Sequence, residues 1–331
     1  MRKFFVSICF LLISVNLCFA AYPDKNLHGY IMWGAGGAMD NVARAITPLV
    51  EEYLNRKIIL QNRTGATGAV ATTFVANQPS DGYTILFGAE NPNLYKVTGL
   101  SQIDYDQFDP VLLMMANVGV VMVGKESPYK NYKDLIDAAK SGKIIKMGST
   151  GPGGLPFVAN TMIEKIHGIG SFSKVRFDGE GPCITALMGG HIDAVVVGVL
   201  AGESFIKSRA LKGLAVLSTK RLPEMDMVPA VTEFFDAYKD YLPWGAFFGA
   251  FVKKGTAEDR LAVLRSAFVK AYEDPRFDEL AKNMGGVKLG LTGIEARKYI
   301  EQNKSVSAWL LYDAGGAKFS PDSFGIKRLE D

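Results

Sequence analysis

Apolar and polar positions follow a repeating rhythm along this chain, with short apolar runs alternating with longer amphipathic stretches. Leu27–Trp33 is an apolar run of strand length. A glycine-rich turn follows, and then a stretch from Asp40 to Leu54 in which Val42, Ala45, Ile46, Leu49, Val50 and Tyr53 recur at helical spacing. Lys57–Gln61 predicts the next strand, Gly65–Gly68 opens a second helix through Ala76, and Thr84–Phe87 predicts a third strand. The rhythm resumes later. Gly119–Val123, Ile145–Gly148, Lys174–Phe177 and Ala194–Val199 read as strands, and Tyr132–Ser141, Leu155–His167 and Pro182–Gly189 as helices. Ala246–Val252 predicts a further strand, followed by helices at Ala257–Tyr272, Arg276–Met284 and Gly293–Tyr312.

Such alternation predicts an α/β fold with parallel sheets and right-handed crossovers. The helical tail has too few strands to form a domain of its own, so it is expected to pack back on the first lobe. The expected organisation is a discontinuous first lobe, residues 21–121 and 246–331, and a second lobe, residues 122–245. Ligands of open α/β sheets bind at the carboxyl ends of the strands, which places the site in a cleft between the lobes.

The first twenty residues are different in kind. Arg2 and Lys3 precede an apolar run from Phe4 to Phe19, and Cys18-Phe19-Ala20 puts small residues three before and one before a cut after Ala20. This is the pattern of a cleaved secretory signal peptide, residues 1–20, and it predicts a periplasmic protein. Val15-Asn16-Leu17 before Cys18 does not fit a lipoprotein signal. Later apolar runs, Val111–Val123 and Ala194–Ala201, are short for a membrane helix and read as buried strands.

At 331 residues, 48% hydrophobic and 21% charged, the chain has the composition of an ordinary globular protein. Without the signal, 35 basic residues face 34 acidic ones. A balance so near neutral gives no reason to expect nucleic acid or an anionic membrane as partner. Cys183 alone remains of the three cysteines, so no internal disulfide forms and a buried structural thiol is expected.

The sharpest local feature is Gly34-Ala35-Gly36-Gly37-Ala38-Met39-Asp40 between a strand and a helix. Glycines let the backbone approach a ligand, and the unpaired N–H groups of a helix start favour an anion. The dinucleotide fingerprint fails, because Met39 stands where its third glycine is needed and Ile58–Gln61 lacks the acidic residue. A second cradle of the same design is Gly148-Ser149-Thr150-Gly151-Pro152-Gly153-Gly154-Leu155, where two hydroxyls join the backbone donors. One such loop in each half suits a small anion held from both sides. A tight turn with no ligand is the plainer alternative.

Catalytic machinery is not evident. His28, His167 and His191 lack metal-ligand spacing, so no metal and no cofactor are expected. Gly202-Glu203-Ser204 fails the nucleophile-elbow pattern at Ile206, and three S-x-x-K matches lack their companion motifs. No catalytic residue is assigned.

Several segments, in order, resemble the substrate-binding proteins of tripartite tricarboxylate transporters, the Bug or TctC family. They are Tyr22–Lys25, Ile31–Arg44, Gln61–Gly68, Pro79–Leu86, Met147–Gly154, Phe177–Gly181, Leu187–Asp193 and Pro243-Trp244-Gly245. The resemblance implies a two-lobed Venus-flytrap fold, a periplasmic location, and delivery of solute to membrane subunits driven by an ion gradient. It implies a monomer that binds carboxylates: tricarboxylates, dicarboxylates, amino acids or aromatic acids. It also implies that the two cradles act as pincers on a carboxylate.

The chain departs from the family pattern at Met32-Trp33 and Ala35, at Gly154 and Phe157 in the second cradle, and at Phe177-Asp178-Gly179. Glu90 and Asp178 are acids gained near the expected site. Either they sit on the rim in solvent, or they meet a positive group of the solute. The candidate site is Trp33, Gly36, Gly37, Asp40, Glu90, Ser149, Thr150, Gly153, Gly154, Asp178 and Asp193. Trp33 either stacks on a planar ligand or fills the core. Asp40 is expected to cap the first helix, and Asp193 to serve as a hinge or loop organiser. A periplasmic sensor acting on a membrane kinase, and an enzyme on the same scaffold, are the competing functions.

Overall fold

A computed structural model describes residues 22–170, 172–242, 244–284 and 287–328. The expected signal peptide lies outside the described residues.

The chain forms two sheets. The first opens with β1 (Leu27–Ile31), α1 (Ala38–Leu54), β2 (Ile58–Asn62), α2 (Ala69–Ala76), β3 (Thr84–Ala89) and the short α3 (Tyr95–Thr98), and reaches β4 (Phe108–Asn117). The second contains β5 (Gly119–Gly124), α4 (Tyr132–Lys140), β6 (Lys146–Ser149), α5 (Leu155–His167), β7 (Ser173–Arg176), α6 (Glu180–Met188), β8 (Ala194–Gly198), α7 (Val199–Lys207) and β9 (Leu211–Val216). The chain then returns to the first sheet with β10 (Ala246–Lys253), α8 (Glu258–Glu273), α9 (Pro275–Met284), β11 (Val287–Leu291) and α10 (Gly293–Asp313). The strand orders are β11-β4-β10-β3-β1-β2 and β7-β6-β8-β5-β9.

The sheets are mixed rather than parallel throughout. β1 is parallel to β2 and β3, and β6 to β7 and β8, through helical crossovers. β10, however, returns from the other lobe and inserts antiparallel between β3 and β4, while β5 runs antiparallel to β8 and β9. β11 pairs antiparallel with β4 as well, so β5, β10 and β11 are the strands that run against the rest of their sheets. β10 is central in its sheet, and Phe247, Phe248 and Phe251 are correspondingly buried.

The chain passes between sheets at Val118, the residue separating β4 from β5. Space there is limited: a Cβ at Gly198 would lie 1.5 Å from Asn117 Nδ2, and one at Gly245 would lie 2.3 Å from the Asn117 carbonyl oxygen. Glycine at 245 lets the returning crossing run beside the first, and glycine at 198 leaves room for the Asn117 side chain.

In α1 the buried stripe is Ala38, Met39, Val42, Ala43, Ile46, Leu49, Val50 and Leu54. Tyr53, expected on that side, is exposed, because the stripe turns toward Leu54 at the helix end. The apolar run expected as one strand from Ala194 to Val199 ends at Gly198. That glycine caps α7, and Val199 begins a helix. Strands β9 and β11 were not read from the sequence. Among the described residues no helix is long and apolar enough to cross a membrane.

Candidate functional site

The first cradle follows β1. Gly36 has φ +76°, a left-handed conformation natural to glycine, and turns the chain into α1 with Gly37 at its N-cap. Asp40 shapes this turn. Its carboxylate accepts the Gly36 N–H at 3.0 Å, the Arg44 Nε–H at 2.8 Å and the Asn62 side-chain amide at 2.9 Å. Asn62 also donates to the Trp33 carbonyl at 2.9 Å. Asp40 is buried and does not line the cavity described below, so it organises the loop from behind.

The second cradle follows β6. Ser149 and Thr150 are buried, and the Ser149 hydroxyl donates to the Thr150 carbonyl at 3.1 Å. Gly153 has φ +89°, and Gly154 is the N-cap of α5. A Cβ at Gly154 would lie 1.9 Å from Thr150 Oγ1, so a side chain there competes with the Thr150 hydroxyl for one space. Beneath the loop, Cys183 is buried with Sγ 3.8 Å from the Ser149 carbonyl, and burial pushes its thiol pKa far up. It is inert and structural.

The two cradles line one cavity, and each is tied to the opposite lobe through a neighbouring segment. The Gly34 N–H donates to the Asp178 carbonyl at 3.3 Å, and the Asn91 side-chain amide donates to the Gly153 carbonyl at 2.8 Å. The Trp33 indole N–H donates to Asn91 Oδ1 at 3.1 Å, which holds that amide in place. These contacts join the first lobe to the second across the cleft mouth, so the structure is a closed form. Behind them lies a narrow cavity. Trp33, Gly37 and Glu90 line it from one lobe, Thr150, Leu155 and Glu180 from the other, and Phe248 floors it.

Two carboxyls dominate the electrostatics. Glu90 follows β3 and is 4% exposed; its Oε1 accepts from Asn91 Nδ2 at 3.2 Å, while Oε2 has no partner among the described residues. Burial pushes its pKa up to about 8, and the nearby Glu180 adds to the rise. Glu180 stands at the first position of α6. Part of it reaches the surface, but its carboxyl is desolvated and its pKa raised to about 7. Two backbone N–H groups oppose that rise: Gly198, donating to Oε1 at 2.7 Å, and Ala38, the first residue of α1. The N-terminus of α1 therefore faces a carboxylate belonging to the protein itself. Among the described residues no Lys, Arg or His lines the cavity.

Of the residues singled out in the sequence, Trp33, Gly37, Glu90 and Thr150 line one cavity. Gly36, Asp40, Ser149, Gly153 and Gly154 shape the loops around it. Asp178 is exposed at the outer mouth, where its backbone carbonyl rather than its side chain reaches the first lobe. Asp193 lies elsewhere: its carboxylate accepts the Lys146 N–H at 2.7 Å and anchors the start of β6, beside a separate surface pocket. Glu180 and Asn91 were not singled out. Their signal was position, one opening a helix just after Asp178-Gly179 and the other directly following Glu90. Among the described residues no group of three His, Cys, Asp or Glu could hold a metal ion.

The profile of the family described as "Tripartite tricarboxylate transporter family receptor" matches residues 42–306. A UPF0065 protein from the tcbD-tcbE intergenic region of Pseudomonas sp. strain P51 is 27% identical over 271 residues, covering 80% of this chain and 79% of its own. Among solved structures, the periplasmic binding protein BugD superposes with a TM-score of 0.83 at 26% identity, covering 89% of this chain and 99% of BugD. MatC of Rhodopseudomonas palustris, solved with bound malate, shares the fold with a TM-score of 0.81 at 21% identity, covering 88% of this chain and all of MatC (100%). These likenesses agree with the two sheets and the cleft between them, and the chain belongs to the tripartite tricarboxylate transporter receptor family.

Proposed function

We propose that this protein is a periplasmic receptor that captures a small carboxylate-containing solute in its cleft. It would deliver that solute to the membrane subunits of a tripartite tricarboxylate-type secondary transporter. The observation that carries this reading is the meeting of two glycine loops, each opening a helix in a different lobe, around one narrow cavity. A solute touched from both sides stabilises the closed form, and only that form presents a single surface to a membrane partner. The malate-bound relative supports a carboxylate as ligand. We place the first lobe at 21–118 with 246–331 and the second between them. That is three residues earlier than the boundary read from the sequence, because β5 pairs with β8 from Gly119.

The test is calorimetric titration of protein stripped of bound solute with small mono-, di- and tricarboxylates, with small-angle scattering to follow closure. Uptake by vesicles carrying the membrane subunits is then measured with and without the receptor. Binding with compaction and receptor-dependent uptake are expected. Failure of every carboxylate to bind would remove the reading.

A further inference from the structure

We propose that the solute carries a protonated amino group, held between the carboxyls of Glu90 and Glu180, and a single carboxylate held at the start of α5. This rests on the receptor reading above and specifies its ligand.

Three observations converge. The first is an unsatisfied acceptor: Glu90 lines the cavity almost wholly buried, and its Oε2 has no donor among the described residues. A buried carboxylate oxygen without a partner is costly, and a ligand N–H is what would complete it. The second concerns the α1 cradle. Glu180 accepts from Gly198 and is held toward its ionised form by the Ala38 N–H, so the protein's own carboxylate occupies the helix start where a second ligand carboxylate would need donors. The third is the absence of countercharge, since among the described residues no Lys, Arg or His lines the cavity.

A dicarboxylate would therefore bring two negative charges into a desolvated space that offers no cation and already holds two carboxyls whose ionisation burial opposes. An ammonium placed between Glu90 and Glu180 supplies donors to both and relieves their mutual repulsion. What remains for an anion is the α5 start, with the Thr150 hydroxyl and the first N–H of the helix at Leu155. That is room for one carboxylate.

The experiment uses matched probes on the full mature protein stripped of bound solute: β-alanine against succinate, and 4-aminobutanoate and alanine against glutarate, malate and propionate. Thermal shift ranks them and calorimetry measures the affinities. Amine-bearing probes are expected to bind about 10- to 100-fold tighter than their dicarboxylate counterparts, the range of a charge-assisted hydrogen bond. Glu90→Gln and Glu180→Gln should each weaken amine binding about tenfold or more. Affinity for the amines should rise from pH 5.5 to pH 8.5 as the two carboxyls ionise.

Tighter binding of succinate or malate, with affinity falling as pH rises and Glu90→Gln harmless, would overturn the inference while leaving the receptor reading intact. In that case the two carboxyls serve protonated, as O–H donors to a ligand carboxylate. No shift with any amine-bearing probe would overturn it as well. Mass spectrometry of solute released from wild-type protein gives an answer independent of the variants: a released dicarboxylate or tricarboxylate without nitrogen sinks the inference alone. A released solute without any carboxylate sinks both.

Discussion

The side-chain amide of Asn91 donates to the Gly153 carbonyl 2.8 Å away, and this bond ties the end of β3 in one lobe to the α5 cradle in the other. The same amide group is fixed from behind by the Trp33 indole. Asn91 is fully buried, so water does not replace what it supplies in the closed form. Replacing it with alanine unpairs the Gly153 carbonyl only when the lobes are shut, while the Trp33 N–H and Glu90 Oε1 lose a partner within their own lobe. The part of the penalty that belongs to Gly153 therefore falls on closure. Asn91→Ala should weaken solute binding about tenfold, or 1–2 kcal/mol. Scattering of the solute-saturated variant should show a larger radius of gyration than wild type.

Gly181 tests closure from the opposite lobe. A Cβ there would sit 2.6 Å from the Ala35 carbonyl and 3.1 Å from Gly37 N, both across the cleft. Gly181 lies inside α6, where alanine is preferred over glycine by roughly 0.5–1 kcal/mol. Gly181→Ala should therefore leave the folding of its own lobe intact, and its clash with Ala35 should be felt only in the closed form. Calorimetry should nevertheless show a loss in affinity of about tenfold or more, the usual scale for a buried overpacking clash of 1–3 kcal/mol. Gly37→Leu should act in the same way, since its side chain would extend toward the Glu180 and Gly181 backbone.

Asp40 predicts the reverse pattern. Its three hydrogen bonds, to Gly36, Arg44 and Asn62, lie within one lobe and behind the cavity. Asp40→Ala should cost about 1–3 kcal/mol of stability, because the Gly36 N–H and the Asn62 amide lose a buried acceptor. Chemical denaturation should show the loss directly. Affinity should fall less than for Asn91→Ala.

These contrasts also show what was legible in the sequence. Both cradles could be read, because glycine followed by an amphipathic helix carries its own geometry: Gly37 and Gly154 are the N-caps of α1 and α5. Most β–α pairs were legible for the same reason. The antiparallel insertion of β10 was not, since Ala246–Lys253 looks like any buried strand and its neighbours, β3 and β4, are far away in sequence. Helix α7 was hidden because the apolar run continues unbroken past Gly198. Asp178 and Glu180 stand two residues apart with equal claims in the sequence. The start of α6 directs one to solvent and the other toward α1, a difference that appears only when the two lobes are brought together.

The pH dependence of stability follows from Glu90. In an unfolded chain its carboxyl titrates near 4.5, whereas burial in the folded, solute-free protein raises it to about 8. The folded state thus binds this proton more tightly than the unfolded state does. Its contribution to stability is complete below about pH 4.5 and is lost as pH rises toward 8. Glu180, raised to about 7, acts in the same direction. Tyr95, Tyr105 and Tyr299, whose phenols interact with the Glu90 charge, are themselves raised by burial and stay neutral over this range. Melting temperatures of wild type and Glu90→Gln, measured together from pH 5 to pH 8.5 without solute, isolate this group, because the other titrations are common to both proteins. Wild type should lose ground to the variant as pH rises, by an amount on the order of 1–3 kcal/mol, or a few degrees. A constant difference across that range would mean that the Glu90 carboxyl is hydrated in solution, and that the solute-free protein rests with its lobes apart.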